Sequence, residues 1–380
     1  MTSPPISPPT PLLPPPARRT SALGRWMSLA GPAVALVVIF LFFVVLVPDW
    51  SDQRSLSYQL TTFANFENIS NILRQSSMTA VASLGMTFII IAGGIDLSAG
   101  SLAALTGVLI AVVLQSGNPA ASHLAAHPAL WPLFAATLAI GVGVLGGLAN
   151  GALITGLKIV PFIITLGAMM IFRGSAKYFA NESNVSTAPN WLWSLLAPPE
   201  GNLRWMIFSP AIWITLFLAI LMSLVLNFSR FGRQVIAVGS NEQTARLCGI
   251  PVARTKILVY TLGGFFTGIA GLFFYSRITQ GSPTSADAFE LDVIAAVVIG
   301  GASLSGGKGS IFGSLVGALI LNVIARGCSQ IHIPLALQHT IPSIFKSSTG
   351  LPTYVQQIVT GGIIITAAFI DRLRQRRGTN

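Results

Sequence analysis

The chain has 380 residues, 52% of them hydrophobic and only 9% charged, with a mean hydropathy of +0.73. A soluble domain carries about a quarter charged residues, and a membrane barrel shows alternating segments of about ten residues, so both classes are excluded and an all-α polytopic membrane protein remains. The net charge of +11 reads as Lys and Arg gathered on one side of a lipid bilayer, not as affinity for nucleic acid.

Residues 1–16 hold eight prolines and no charge. With the segment up to residue 25 they are read as a disordered, polyproline-like cytoplasmic tail. Arg18, Arg19 and Arg25 precede the apolar run from Trp26 to Pro48, which is too long for a signal core and lacks a small-residue cleavage site. It is read as an uncleaved first span with its amino end inside. Further spans are expected at about 76–92, 101–115, 131–156, 160–178, 210–228, 257–276, 293–305, 310–326 and 354–370, ten in all. They make residues 26–372 one transmembrane domain, followed by a basic cytoplasmic tail over 373–380. Ten spans put both termini and the loop 229–256 on one side, where Arg230, Arg233, Arg246, Arg254 and Lys256 face the single acid Glu242. Glu67, Glu182, Asp287, Glu290 and Asp292 fall on the other side. Trp131, Trp191, Trp193, Trp205 and Trp213 read as an aromatic belt there. Arg74 and Arg173, near span ends, are expected to snorkel to the interface. Cys248 and Cys328 fall on opposite sides, which disfavours a disulfide, and His123, His127, His332 and His339 lack metal-ligand spacing. No cofactor is expected.

A polar phrase interrupts two apolar runs: Gly93, Gly94, Ile95, Asp96, Leu97, Ser98, Ala99, Gly100. Asp96 is the one acid that this span assignment leaves in the core. Such a group is costly at membrane depth and marks a requirement of structure or function. Asp96 or Ser98 caps the next helix, or the phrase gates a path; the residues fit both readings. The phrase returns as Gly300, Gly301, Ala302, Ser303, Leu304, Ser305, Gly306, Gly307. Gly93 aligns with Gly300, Gly94 with Gly301, Ser98 with Ser305 and Gly100 with Gly307. Ser101 meets Ser310 after a two-residue insertion. Repeated units around broken helices are a transporter trait, with the substrate path near the repeat interface. The stretch from Gly306 to Gly309 is not a phosphate loop, because Ala302 and Gly309 stand where Gly and Ser or Thr are required.

The basic loop contains one helical signature. Asn241 is placed to cap a short helix over 241–249, and Gly249 is placed to end it. A short helix stopped by glycine suits a plug for a partner's groove; a solvated loop is the plain alternative.

Four stretches carry a family likeness: NILRQSS at 71–77, LGMTFIIIAGGIDLSAGSLAAL at 84–105, AVGSNEQTARLCGIPVARTK at 237–256 and VVIGGASLSGGKGSIFGSLVGALI at 297–320. Together they resemble the ribose-type permease subunits of bacterial ABC sugar importers, over nearly the whole chain from about residue 26. The resemblance implies a bacterial inner-membrane permease, paired as a homodimer or with a homologue. It also implies an ABC ATPase subunit and a periplasmic sugar-binding protein as partners. Gly239, Asn241, Ala245 and Gly249 match the family's ATPase-coupling segment, with Arg246 inside it. Thr244 and Cys248 depart from the family's usual Ala and Ser. Residues 50–66, 183–206 and 332–350 are longer than usual. On this likeness the chain does no covalent chemistry, and a bulky Glu at Ala245 is expected to uncouple uptake from ATP turnover without preventing folding. An ion-coupled secondary transporter is the alternative; scarce ionisable residues in the spans weigh against it. An intramembrane enzyme lacks any His-Glu-x-x-His or paired-aspartate pattern.

Overall fold

A computed structural model describes residues 22–47, 61–115, 130–199 and 206–331, with isolated positions between 352 and 365. Residues 1–21 of the tail predicted over 1–25, the tail at 373–380, the four histidines and most of the span expected at 354–370 lie outside the described residues; residues 22–25 belong to the first helix.

The described chain is nearly all helix, as an apolar environment demands of a backbone that must satisfy its own hydrogen bonds. In chain order the helices are α1 (Ala22–Leu46), α2 (Phe66–Ile91), α3 (Ala99–Gln115), α4 (Leu130–Leu157) and α5 (Pro161–Phe179). After them come α6 (Pro210–Phe228), α7 (Arg230–Ser240), α8 (Glu242–Leu247), α9 (Val252–Ile278), α10 (Phe289–Ile299) and α11 (Ile311–Gln330). A two-residue antiparallel pair joins β1 (Val185–Ser186) to β2 (Gln280–Gly281), with Val185 opposite Gly281. By length and composition α4, α6, α9 and α11 are each able to cross a membrane.

Local chemistry sets most boundaries. Asn65 caps α2, accepting from Asn68 N at 2.6 Å, so the helix begins ten residues before the apolar run expected from 76. Pro161 and Pro210 open α5 and α6 at the first turn, where a missing N–H costs nothing. Thr279, at φ 56°, ends α9.

Helix α9 is the axle of the bundle, packed on α2, α3 and α4. Close approach is possible because glycines meet glycines: a Cβ on Gly85 of α2 would lie 2.8 Å from Gly263 Cα, and one on Gly147 of α4 would lie 3.0 Å from Gly264 Cα. The core beside this axle is aromatic and aliphatic, with Phe88, Ile89, Phe266, Phe273 and Val293 all fully buried or nearly so.

Three expectations need correction. The second copy of the repeat is not entered by a helix over 293–305: α10 stops at Ile299, and residues 300–310 form an irregular turn. At 1.5 Å per residue, its 11 residues reach only about 16 Å, about half a hydrocarbon core. The preceding residues 282–288 run as irregular chain alongside α3. A Cβ on Gly281 would touch Val108 and Ala111, whereas Gly100 lies against Ala286 and Glu290. Glu290 is therefore a second buried acid, 9% exposed, where the sequence reading placed only outer-side charge. Arg173 does not snorkel to an interface. Its guanidinium donates to Pro283 O (2.8 Å), Ser285 O (2.9 Å) and Ala286 O (3.3 Å), and pairs with Asp287 at 3.7 Å. It supplies the hydrogen bonds that this non-helical stretch cannot make for itself.

Candidate functional site

The two glycine phrases end their helices by the same device. Ala92 N, Gly93 N and Gly94 N donate to Phe88 O, Ile90 O and Ile89 O; Gly300 N, Gly301 N and Ala302 N donate to Ala296 O, Val298 O and Val297 O. This is the αL glycine stop of a helix C-terminus, with Gly93 at φ 80° and Gly301 at φ 93°. The structural partner of Gly93 is thus Gly301, one residue on from the sequence alignment. The helices that follow start alike: Leu102 N donates to Ser98 O, and Ser314 N to Ser310 O. Ser98, not Ser101, corresponds to Ser310, so the second turn, from Gly301 to Ser310, is four residues longer than the first, from Gly93 to Ser98. Each turn also holds a side-chain hydrogen bond between residues two apart, though not at equivalent positions. Ser98 Oγ donates to Asp96 Oδ1 at 2.6 Å, and Ser303 Oγ lies 2.8 Å from Ser305 Oγ.

Asp96 is 1% exposed, and Oδ1 also accepts from Ser98 N at 2.8 Å. Asn150 of α4 donates to Ser98 Oγ at 2.9 Å, and Tyr260 of α9 donates to Ile95 O at 3.3 Å. The carboxylate thus organises the turn from within, beneath Gly94, which has no room for a Cβ beside Tyr260. Gly100 packs against Glu290 and Ala286 O one step further on. In the second copy Gly300 abuts Gly313 of α11, while Leu304 and Ser305 face outward. A side-chain bond between Thr87 and Ser314, at 2.7 Å and buried, ties the two copies together along α2 and α11.

The two turns meet. Gly307 N donates to Ile91 O, the last residue of α2, at 2.8 Å. Both α2 and α10 end at this junction. Gly239, near the end of α7, completes the contact. A Cβ there would overlap Ile91 O and come within 2.8 Å of Gly307 N. Gly306, at φ 85°, lies on Gly239, and Gly307 lies on Ser240. One end of the basic loop is therefore wedged against both copies at once.

The loop is two helices rather than one. Ser229 caps α7 through Gly232 N at 3.0 Å. Asn241 caps α8 through Thr244 N at 2.9 Å, and Gly249, at φ 79°, ends it, with Ile250 N donating to Ala245 O at 3.0 Å. Glu242 pins α8 to the base of α9 through Lys256 (2.6 Å) and also holds Arg246 (3.3 Å). Ala245 is 4% exposed, packed with Val238 and Val252. A Glu there would be driven into the loop's own small core, so Ala245 supports the shape of α8 and does not present its outer face. That face belongs to Leu247, 88% exposed, beside Arg246 and Cys248. Both described cysteines are free, Cys248 exposed and Cys328 buried. Leu247 escaped the sequence reading, although a leucine at the end of a capped helix in a charged loop was a visible oddity. So was Asn150, a lone amide inside an apolar span.

A sequence-family profile described as the permease component of a branched-chain amino acid transport system matches residues 68–368. The chain belongs to this family of transport permeases. Its relatives include the ribose import permease protein RbsC of Bacillus subtilis (strain 168), 32% identical over 348 residues, 91% of this chain and 93% of that protein. The L-arabinose transport system permease protein AraH of Escherichia coli (strain K12) is 33% identical over 363 residues, 93% of this chain and 94% of that protein. The galactose/methyl galactoside import permease protein MglC of Salmonella typhimurium (strain LT2) is 32% identical over 356 residues, 93% and 96% of the two chains. The chain is accordingly a multi-pass membrane permease, and the Gly239 junction is a feature of a transport subunit rather than of an enzyme.

Proposed function

We propose that this chain is the membrane subunit of an ATP-driven importer of a monosaccharide, ribose being the first candidate and arabinose and galactose the next. It sits in a bacterial inner membrane with both termini cytoplasmic. It works as a dimer with ABC ATPase subunits on the cytoplasmic side and a sugar-binding protein on the periplasmic side. The named relatives support the substrate class, since each is named for a pentose or hexose. The observation that carries the mechanism is the wedge of Gly239 between Ile91 O and Gly307 N, one short helix away from the exposed Leu247.

In this reading the ATPase grips α8 through Leu247 and Arg246. Its closure on ATP moves α8, Glu242 carries the displacement to the base of α9, and α7 carries it to both glycine turns. The turns are helix ends with few side chains, so they yield where continuous helix would not. ATP shifts the access equilibrium only by binding one arrangement of the assembly better than the other.

Leu247→Asp tests the grip. Burying a leucine contributes about 1.5–3 kcal/mol, so its replacement by a charge weakens ATPase association by about tenfold to a hundredfold. The expected result is a folded permease that no longer retains its ATPase on a column and shows no ATP-driven sugar uptake in proteoliposomes. Wild-type uptake by the variant removes α8 from the coupling route.

A further inference from the structure

At the end of α2 away from the glycine turns lies a cavity of about 570 Å³, walled by α2, the end of α9 and the segment 190–197. The distance from the Gly239 junction is about 24 Å, counting 16 residues of helix from Gln75 to Ile91. Asn71, Arg74 and Gln75 sit at i, i+3 and i+4 and so share one face of α2. Trp193 and Arg277 face them. The volume falls in the range of about 300–1,000 Å³ typical of small-molecule sites.

The walls are built but not satisfied. Arg74 donates to Leu196 O at 3.3 Å and to Asn71 Oδ1, yet its Nε is buried without a partner. Gln75 and Arg277 make no side-chain hydrogen bond to any described residue, and both line the cavity. A buried donor without a partner is expensive, so something from outside the described chain completes it. The indole of Trp193 is held in one orientation by its 3.2 Å bond to Tyr275 Oη. A fixed aromatic ring beside planar amide and guanidinium donors suits a molecule with many hydroxyls and an apolar C–H face. Among the described residues no carboxylate lines the cavity, whereas two guanidiniums do; Glu67 acts on Arg74 from outside the lining, so a cation entering the cavity meets two like charges at its wall.

We propose that this cavity is a station for the solute within the permease, taking a polyhydroxylated monosaccharide that bears no positive charge. This rests on the sugar-importer reading and extends it. The binding protein need not be the sole source of selectivity, because Asn71, Arg74 and Gln75 form a second filter that rejects amino sugars.

Purified permease is titrated with D-ribose, L-arabinose, D-galactose and D-glucosamine, following tryptophan fluorescence. At least one neutral sugar is expected to change the emission, glucosamine to leave it unchanged, and Trp193→Phe to abolish the response. Gln75→Ala, which removes no bond within the chain, is expected to weaken binding about fivefold, the loss of one hydrogen bond. Uptake of the same sugars by the reconstituted wild-type assembly is measured in parallel. Sugar uptake with no fluorescence response, or with an equal response in Gln75→Ala, overturns the cavity proposal and leaves the importer reading standing. Uptake of no sugar overturns both. A Gln75→Ala protein that binds sugar normally but retains the binding protein poorly overturns the proposal in favour of a protein-docking surface.

Discussion

Replacing Gly239 with alanine puts a methyl group where two backbone atoms already meet. It would overlap Ile91 O and stand 2.8 Å from Gly307 N, the two atoms that now share a 2.8 Å hydrogen bond. Bond and methyl do not fit together. Leaving the bond unmade costs about 1–3 kcal/mol, and forcing extra volume into a packed contact costs about 1–3 kcal/mol. Taking about 3 kcal/mol as the local loosening, and about 1.4 kcal/mol per tenfold, amide exchange in the 300–310 turn accelerates about a hundredfold. Hydrogen exchange of the purified protein, read by peptide mass, measures it. Gly167→Ala on α5 is the control, since nothing lies within 4 Å of its Cβ. A folded Gly239→Ala protein whose 300–310 peptide exchanges at the wild-type rate would refute the three-way junction. If exchange accelerates, ATP-driven uptake should fall with it, because the same contact is the proposed transmission point.

Ala245→Glu should unfold α8 by burying a carboxylate among Val238 and Val252; rapid proteolysis within 240–250 checks this, and a protease-resistant variant would put Ala245 on the outer face after all. Tyr275→Phe removes a hydroxyl shared by Thr187 (2.7 Å), Asn190 (2.9 Å) and Trp193 (3.2 Å). Exchange across 187–195 should rise about tenfold or more, and an unchanged profile would mean that this hub holds nothing. Arg173→Lys replaces a planar fork with one ammonium facing three carbonyls. A loss of about 2 kcal/mol is expected, read as a lower unfolding temperature in detergent with faster exchange over 282–288.

Much of the architecture could be read along the chain because it rests on local rules. Pro161 and Pro210 announce helix starts, and Asn241 and Gly249 bracket α8, through geometry that involves only near neighbours. The repeated glycine phrases were equally plain. Their exact register was not, since Gly301 rather than Gly300 takes the left-handed conformation, and two adjacent glycines look alike in sequence. Hydropathy also carried the apolar run of α10 past Ile299, as it weighs side chains and not backbone dihedrals. The junction itself was hidden. Gly239 was noticed only by family likeness, because its role depends on Ile91 and Gly307, which lie 148 and 68 residues away along the chain. Arg173 was misplaced for a related reason: a charge near a span end looks the same whether it reaches for water or for the carbonyls of a distant segment.

Those carbonyls fix the bundle's compass. Backbone that is neither helix nor closed sheet is tolerated at membrane depth only inside protein or beside water. Any part of the stretch 282–288 that lies within the bilayer, riveted by Arg173 along the flank of α3, must therefore face protein or water and not acyl chains. That limits which side of the bundle can be turned toward lipid.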